Sequence, residues 1–467
     1  GGEFPPSLNS GADEWQLMSG LFRAFYSLKD RYLFTVTGRY DGSSRFGENN
    51  KWAFFPSAAV GWRISDEAFM ADQNLISNMK LRVSWGRSGN QNIPTYRSLS
   101  SMGTVQYTIG DALQTGFFPN RIGNPDLRWE TTTQTDIGLD VGLFQGRLEL
   151  TADYYYKKTT DLLFDVPVPF ESGFRSAFKN IGSLENQGVE LALNATPLTG
   201  NFTWNIGINW ALNRNQVLEL QGEEEIQIDP GLNLLKAQNA LLLKVGEPVG
   251  NFYGYVNDGF WHNADDIAAS GIQQNRFPGQ YRIIDQNSDG IINNDDRTII
   301  GNALPDWTGG ITNTLRYKNI ELNFLIDFSY GNDVANLTKI EHLFLNGRQN
   351  GSKLVLDRWR PDDPSLPRNE WTNSTNPETE IPSVLGTGAG GRQLSSFIVE
   401  DGSFARLRNL TLAYNVPVQQ LGISALRRLR LYFSGQNLLL FTNYSGLDPE
   451  ANVFVNANTR LGLDYAV

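Results

Sequence analysis

The stretch DQNSDGIINNDD at 285–296 is the constellation in this chain whose residue types and spacing best suit a metal ion. Asp285, Asn287 and Asp289 alternate, Gly290 permits a sharp turn, the backbone carbonyl of Ile291 follows, and Asn293 and Asp296 complete the loop. A hard cation such as calcium needs about six to eight oxygens converging on one point, and this spacing supplies them from a single turn. Asp296 stands where a longer Glu is usual, which shortens the last ligand and weakens bidentate binding. The expectation is a structural Ca2+ held by Asp285, Asn287, Asp289, Ile291, Asn293 and Asp296. The alternative is an Asp/Asn/Gly-rich turn that binds nothing.

Other chemistry is thinner. Gly386, Gly388 and Gly391 match G-x-G-x-x-G, but no strand precedes them and no helix follows, so a flexible loop is expected and not a nucleotide site. Glu223, Glu224 and Glu225 read as a solvated loop and not as an acid/base pair. His262 and His342 stand apart from any nucleophile motif, so no catalytic residue is assigned and the chain is not expected to be an enzyme. Trp261, Trp359 and Trp371 lie in long loops, where packing is a commoner fate than stacking on sugar rings, and no substrate contact is assigned. With no Cys, neither a disulfide framework nor a thiolate site is available. A net charge of −11 argues against nucleic acid, whose backbone demands clustered Lys and Arg.

The elements that must carry these residues are strands. Aromatics at 12% beside 46 Gly favour extended segments with turns. No run of about 18 apolar residues appears, which excludes a membrane helix but not a barrel, whose strands show lipid one apolar face each. Period-2 alternation is the dominant pattern. Ile137, Leu139, Val141 and Leu143 alternate with Asp136, Gly138, Asp140 and Gly142; after Phe144-Gln145-Gly146 the chain returns with Leu148, Leu150, Ala152 and Tyr154. The same design spans 189–195 and 202–213 around Thr199-Gly200, and 307–317 and 320–330 around Lys318-Asn319. Further strands are predicted near 16–28, 31–42, 52–65, 78–89, 403–416 and 428–441, with a bulge where the phase slips around Arg406 and Arg408.

A large soluble β-sandwich also alternates. Strand length and loop asymmetry separate the two: several segments run to about a dozen residues, against the usual five or six of soluble sheets. Turns of two to four residues alternate with long loops at about 90–128, 158–185, 214–305 and 332–402, as the two rims of an outer-membrane barrel require. Tyr and Trp near strand ends, including Tyr40, Trp85, Trp129, Trp307 and Tyr330, suit an interfacial belt. The fold class is therefore all-β, a partial transmembrane antiparallel β-barrel of about twelve strands with long extracellular loops. Ile137, Leu139, Phe202, Trp204, Ile206, Leu322 and Phe324 should face lipid; Asp136, Asp140, Asn205, Asn209, Glu321 and Asp327 should face the lumen.

Several stretches, in order, resemble landmarks of SusC/RagA-type TonB-linked outer-membrane proteins. They are YDGSSRFGENNKWAFFPSAAVGWRISDEAFM (40–70), LRVSWGRSGNQNI (81–93), GNPDLRWETTTQTDIGLD (123–140), NIGSLENQGVEL (180–191), DRWRPDDPSLPR (357–368), VEDGSFARLRNLTLAYNVP (399–417) and LRLYFSGQNLLLFTNYSGLDPE (429–450). The resemblance implies a barrel of roughly 22 strands with a plugged lumen. It implies uptake of oligosaccharides or oligopeptides, a SusD-like surface lipoprotein as lid, and energy from TonB with ExbB and ExbD. On that pattern residues 1–467 are the C-terminal part of the barrel, with signal peptide, TonB box and plug domain expected before Gly1 and a closing strand after Val467. The alternative functions are a non-transporting SusC-like scaffold and a secreted, calcium-stabilised carbohydrate-binding β-protein.

Overall fold

The computed structural model describes residues 12–110, 112–168, 170–174, 176–230, 239–274, 276–344, 350–383, 394–421, 426–452 and 460–464. Twelve long strands follow one another in a single antiparallel order. They are β1 (Leu17–Leu28), β2 (Tyr32–Ser43), β3 (Trp52–Arg63), β4 (Ile76–Asn90), β5 (Glu130–Leu143) and β6 (Leu148–Thr160), then β7 (Ser183–Leu198), β8 (Phe202–Glu219), β9 (Trp307–Tyr317), β10 (Ile320–Tyr330), β11 (Phe404–Val416) and β12 (Leu429–Thr442). The predicted strands sit within about two residues of these at most boundaries, and several continue farther toward the long loops. No described helix is long and apolar enough to cross a membrane.

The chain divides into two compact units, each described by itself: residues 1–146, 151–187 and 218–222, and residues 147–150, 188–217 and 223–467. In the first, antiparallel register places Tyr26, Phe34, Val60, Val83 and Ile137 in one continuous row across five strands. The neighbouring row reads Phe25, Thr35, Ala59, Ser84 and Asp136. Because successive side chains point to opposite faces, one face is apolar and the other mixed to polar. Where the long loops begin, Phe46, Phe55, Ile93, Leu127 and Trp129 form a buried cluster, and the Trp129 Nε1–H donates to the Lys51 carbonyl at 3.1 Å.

The second unit repeats the segregation more cleanly. Trp204, Leu315, Leu322, Leu412 and Phe433 align across β8 to β12. One step along, the aligned residues are Asn205, Thr314, Asn323, Thr411 and Ser434. The Lys318-Asn319 turn pairs Tyr317 with Ile320 and brings Trp307 opposite Tyr330, so the loops before β9 and after β10 leave the same end of the sheet. The bulge lies where the phase slips: Leu325 faces Asn409 and Ile326 faces Leu407, which leaves Arg408 as the extra residue.

The long loops of this unit have their own architecture. Segments Glu225–Ile228, Leu241–Lys244, Asn251–Tyr255 and Arg297–Asn302 form a four-stranded sheet. Asp333–Asn336 pairs with Val399–Asp401 and, in parallel, with Leu463–Asp464. Leu241, Phe252, Leu337, Ile340, Leu394 and Leu463 are buried together beneath these sheets, so loops far apart in sequence share one core.

Candidate functional site

The polar face is organised by charge. Arg82 on β4 lies opposite Gly138, where a Cβ would stand 2.1 Å from Asp153 Oδ1 and 2.6 Å from the guanidinium. The missing side chain makes room for Arg82 to bind Asp140 at 2.9 Å and Asp153 at 2.9 Å. Thr151 donates to Asp140 at 3.2 Å. In the second unit Glu321 is bridged by Arg316 at 2.9 Å and Arg430 at 3.0 Å. Neutral side chains fill the spaces between: Thr196 donates to Asn205 at 2.8 Å, and the Asn323 amide donates to Thr314 at 2.8 Å. Such a surface presents paired charges and neutral donors and acceptors along the strands.

The residues expected at the lumen and at the lipid fall on opposite faces of their strands. Asn313 is an exception that alternation obscured. It lies in the apolar row between Ile206 and Phe324, is buried, and accepts a hydrogen bond from Trp204 Nε1 at 3.0 Å. That bond removes most of the desolvation cost of an amide oxygen among apolar neighbours.

At the loop end, the three tryptophans are buried. Trp359 and Trp371 pack 5.6 Å apart with Phe260 and Phe277, Trp359 Nε1 donates to the His262 carbonyl at 3.2 Å, and Arg282 covers the Trp261 ring at 5.7 Å. Their faces are occupied by protein. His262 packs tilted against Phe260 at 4.5 Å between ring centroids, and His342 is exposed on the helix Leu337–Phe344. Glu223, Glu224 and Glu225 are exposed. Gly386, Gly388 and Gly391 lie outside the described residues.

The acidic loop turns its side chains onto its own backbone. Asp285 accepts from the amides of Asp289 at 3.3 Å and Gly290 at 2.7 Å, Asn287 accepts from Asp289 at 3.0 Å, and Asp289 accepts from Ile291 at 2.7 Å. Buried Asp296 accepts from Gln286 at 2.9 Å and Asn293 at 2.7 Å, while Asn293 caps the short helix Asn294–Asp296. Gly290 has φ +80°, a conformation that favours glycine. Among the described residues no three His, Asp or Glu side chains gather closely enough to hold a metal alone, so any ion here would also need the Asn oxygens and the Ile291 carbonyl.

Two latches tie the segment after β12 to the rest, one a carboxylate accepting from Ser445 and the other an ion pair. Burial would raise Glu400, but the Ser445 amide and hydroxyl at 2.8 Å and Lys339 at 3.1 Å hold its carboxyl below the usual range. Asp448 is likewise opposed by burial and held below its usual range, chiefly by Arg406 at 2.6 Å. Tyr444 is pushed up by burial and by donating to Asp464 at 2.5 Å.

Comparison with known proteins gives a consistent set of matches. The family model for TonB dependent receptor-like β-barrels matches residues 10–438. A TonB-dependent receptor of Formosa agariphila is 40% identical over 448 residues, covering 96% of this chain and 44% of the relative. The TonB-dependent receptor SusC of Bacteroides thetaiotaomicron is 33% identical over 459 residues, covering 95% of this chain and 42% of the relative. A chain in the structure of the RagAB peptide transporter superposes with a TM-score of 0.75 at 28% identity, covering 93% of this chain and 45% of that one. The chain thus spans less than half the length of the curated relatives it matches.

Proposed function

Because this chain belongs to the TonB-dependent receptor β-barrel family and is of the SusC/RagA type, we propose that it forms part of the wall and loops of an importer for oligosaccharides or oligopeptides. Its place is the bacterial outer membrane. The observation that carries the reading is the pair of adjacent rows across β8 to β12, one wholly apolar and one wholly polar. A wall between hydrocarbon and a hydrated passage needs that arrangement. The charged and amide groups of the polar face suit a hydroxyl- or peptide-rich solute, and no catalytic step is assigned.

A SusD-like surface lipoprotein as lid, and energy from TonB with ExbB and ExbD, complete the proposal. SusC and the RagAB peptide transporter support it by likeness. The test is uptake of labelled oligosaccharide and oligopeptide pools by cells carrying or lacking the full-length gene, with and without TonB. Growth and uptake that do not change when the gene is deleted would favour a non-transporting scaffold.

Calcium at Asp285, Asn287, Asp289, Ile291, Asn293 and Asp296 belongs to this proposal as a structural clip. Its support is the oxygen-rich spacing and the inward turn of the side chains. Extracellular modules of this kind bind at roughly 10⁻⁴ to 10⁻³ M. Asp285→Ala with Asp289→Ala should abolish calcium-dependent protection of the loop from protease while leaving barrel assembly intact. Equal protection in the presence of chelator would leave only the turn.

A further inference from the structure

The end of the sheet opposite the long loops carries an open cleft of about 510 Å³. It is lined from the Lys318-Asn319 turn and from residues 415–420 and 427–429. Arg316, Lys318, Arg427 and Arg428 line it with a single carboxylate, Glu321. The chain as a whole has a formal charge of −11, so this local excess of positive charge runs against its composition. Nor is Glu321 free to balance it: one oxygen is bound by Arg316 at 2.9 Å and the other by Arg430 at 3.0 Å. Among the described residues, Lys318, Arg427 and Arg428 enter no ion pair. Like charges crowded in this way repel, and an anion seated among them reverses the sign of each interaction.

Ile320, Val416 and Leu429 add aliphatic surface to the same lining. Ile320 belongs to the row Phe202, Tyr317, Ile320, Tyr414 and Leu431, the last row of the apolar face before the turns. Tyrosines in that position mark the level where hydrocarbon gives way to headgroups. Arg316 and Glu321 belong to the polar face, so the cations that meet this aliphatic row are Lys318, Arg427 and Arg428 of the turns, an arrangement that suits an anionic amphiphile better than a free ion. Arginine adds planar, bidentate geometry for phosphate oxygens.

We propose that this cleft binds the phosphate headgroup of an anionic phospholipid in the leaflet that meets the short-turn rim. The inference rests on the membrane placement of the wall and is independent of what is imported.

The test uses the purified full-length receptor in neutral detergent, with dioleoylphosphatidylglycerol, dioleoylphosphatidylcholine or inorganic phosphate as probes and retained lipid counted by native mass spectrometry. Phosphatidylglycerol should be retained by the natural protein in preference to phosphatidylcholine. Arg427→Gln with Arg428→Gln should raise its apparent Kd by about tenfold or more, and Arg427→Lys with Arg428→Lys, which keeps the charge and loses the bidentate geometry, should restore it only in part. Lys318→Gln, in a surface turn, gives a second and independent loss. A folded, heat-modifiable band on gels shows that each variant is assembled. Equal retention of phosphatidylcholine, unchanged binding in the glutamine variants, or competition by millimolar phosphate equal to that of the lipid would overturn the proposal, the last in favour of a free-anion site.

Discussion

Trp204 and Asn313 illustrate how one hydrogen bond makes a polar residue tolerable on an apolar face. The indole N–H meets the amide oxygen at 3.0 Å across the β8–β9 pair. Trp204→Phe keeps most of the ring and deletes the donor, so Asn313 would be left unsatisfied at a cost of about 1–3 kcal/mol. Trp204→Phe combined with Asn313→Leu should recover most of that loss, as read from denaturant unfolding in lipid vesicles. Additive losses in the double variant would show that the bond does not couple the two. Acid sensitivity is set elsewhere, at Glu400 and Asp448, whose folded pKa values lie below their ordinary ones. A depressed folded pKa contributes stability that is fully present above the unfolded value, near 4 for these groups, and is lost as pH falls through the folded value. The segment after β12 should therefore be held at neutral pH and released below about pH 4, measured as faster hydrogen exchange of residues 443–450. Exchange that is flat from pH 7 to pH 3, after correction for intrinsic rates, would remove the latch. The phase slip around Arg406 and Arg408 was visible in sequence, but their carboxylate partners were not. Asp448 and Glu450 lie on the far side of β12, and nothing local marks them as partners of Arg406 and Arg408.

At the scale of the strand, the two-residue period decides everything. Phe324 on β10 stands in the apolar row and Asn323 beside it stands in the polar row. Phe324→Arg places a charge in hydrocarbon near the middle of the strand and should cost roughly 2–4 kcal/mol, while Asn323→Arg should cost well under that because its neighbours are Thr314 and Thr411. Unfolding titrations of the full-length receptor in vesicles check the pair, and equal costs would mean that the two faces are not exposed to different media. This contrast is why the wall was legible: a strand between lipid and water must alternate over its whole length, so each carries a long signal. The short strands of the loops had no such constraint. Asn251–Tyr255 finds Arg297–Asn302 and Asp333–Asn336 finds Leu463–Asp464 across long sequence separations, and these pieces are two to six residues long. Their burial comes from a shared core and not from a face, so alternation was absent and the segments read as loops.

For the molecule as a whole, the wall and the loop core are stabilised by different physics and should fail separately. The wall strands pair through long backbone ladders, interrupted at the Arg408 bulge, and opening one within a bilayer would expose amides and carbonyls to hydrocarbon, at several kcal/mol for each unsatisfied group. The loop core is an aqueous one: Leu241, Phe252, Leu337, Ile340, Leu394 and Leu463 are buried from water beneath short sheets, and urea weakens that burial directly. Its ionic latches add modestly, since Asp448 and Glu450 remain about two-fifths exposed around the nearly buried Arg406. In membranes containing the full-length receptor, increasing urea should first raise hydrogen exchange in residues 241–255 and 333–340 and only later in residues 307–330. The order follows from solvent, because denaturant reaches the loops at once and the lipid-facing ladders only through the lumen. A transition in which all three segments lose protection at the same urea concentration would mean that loops and wall form a single cooperative unit, and that the loop core contributes to holding the barrel together.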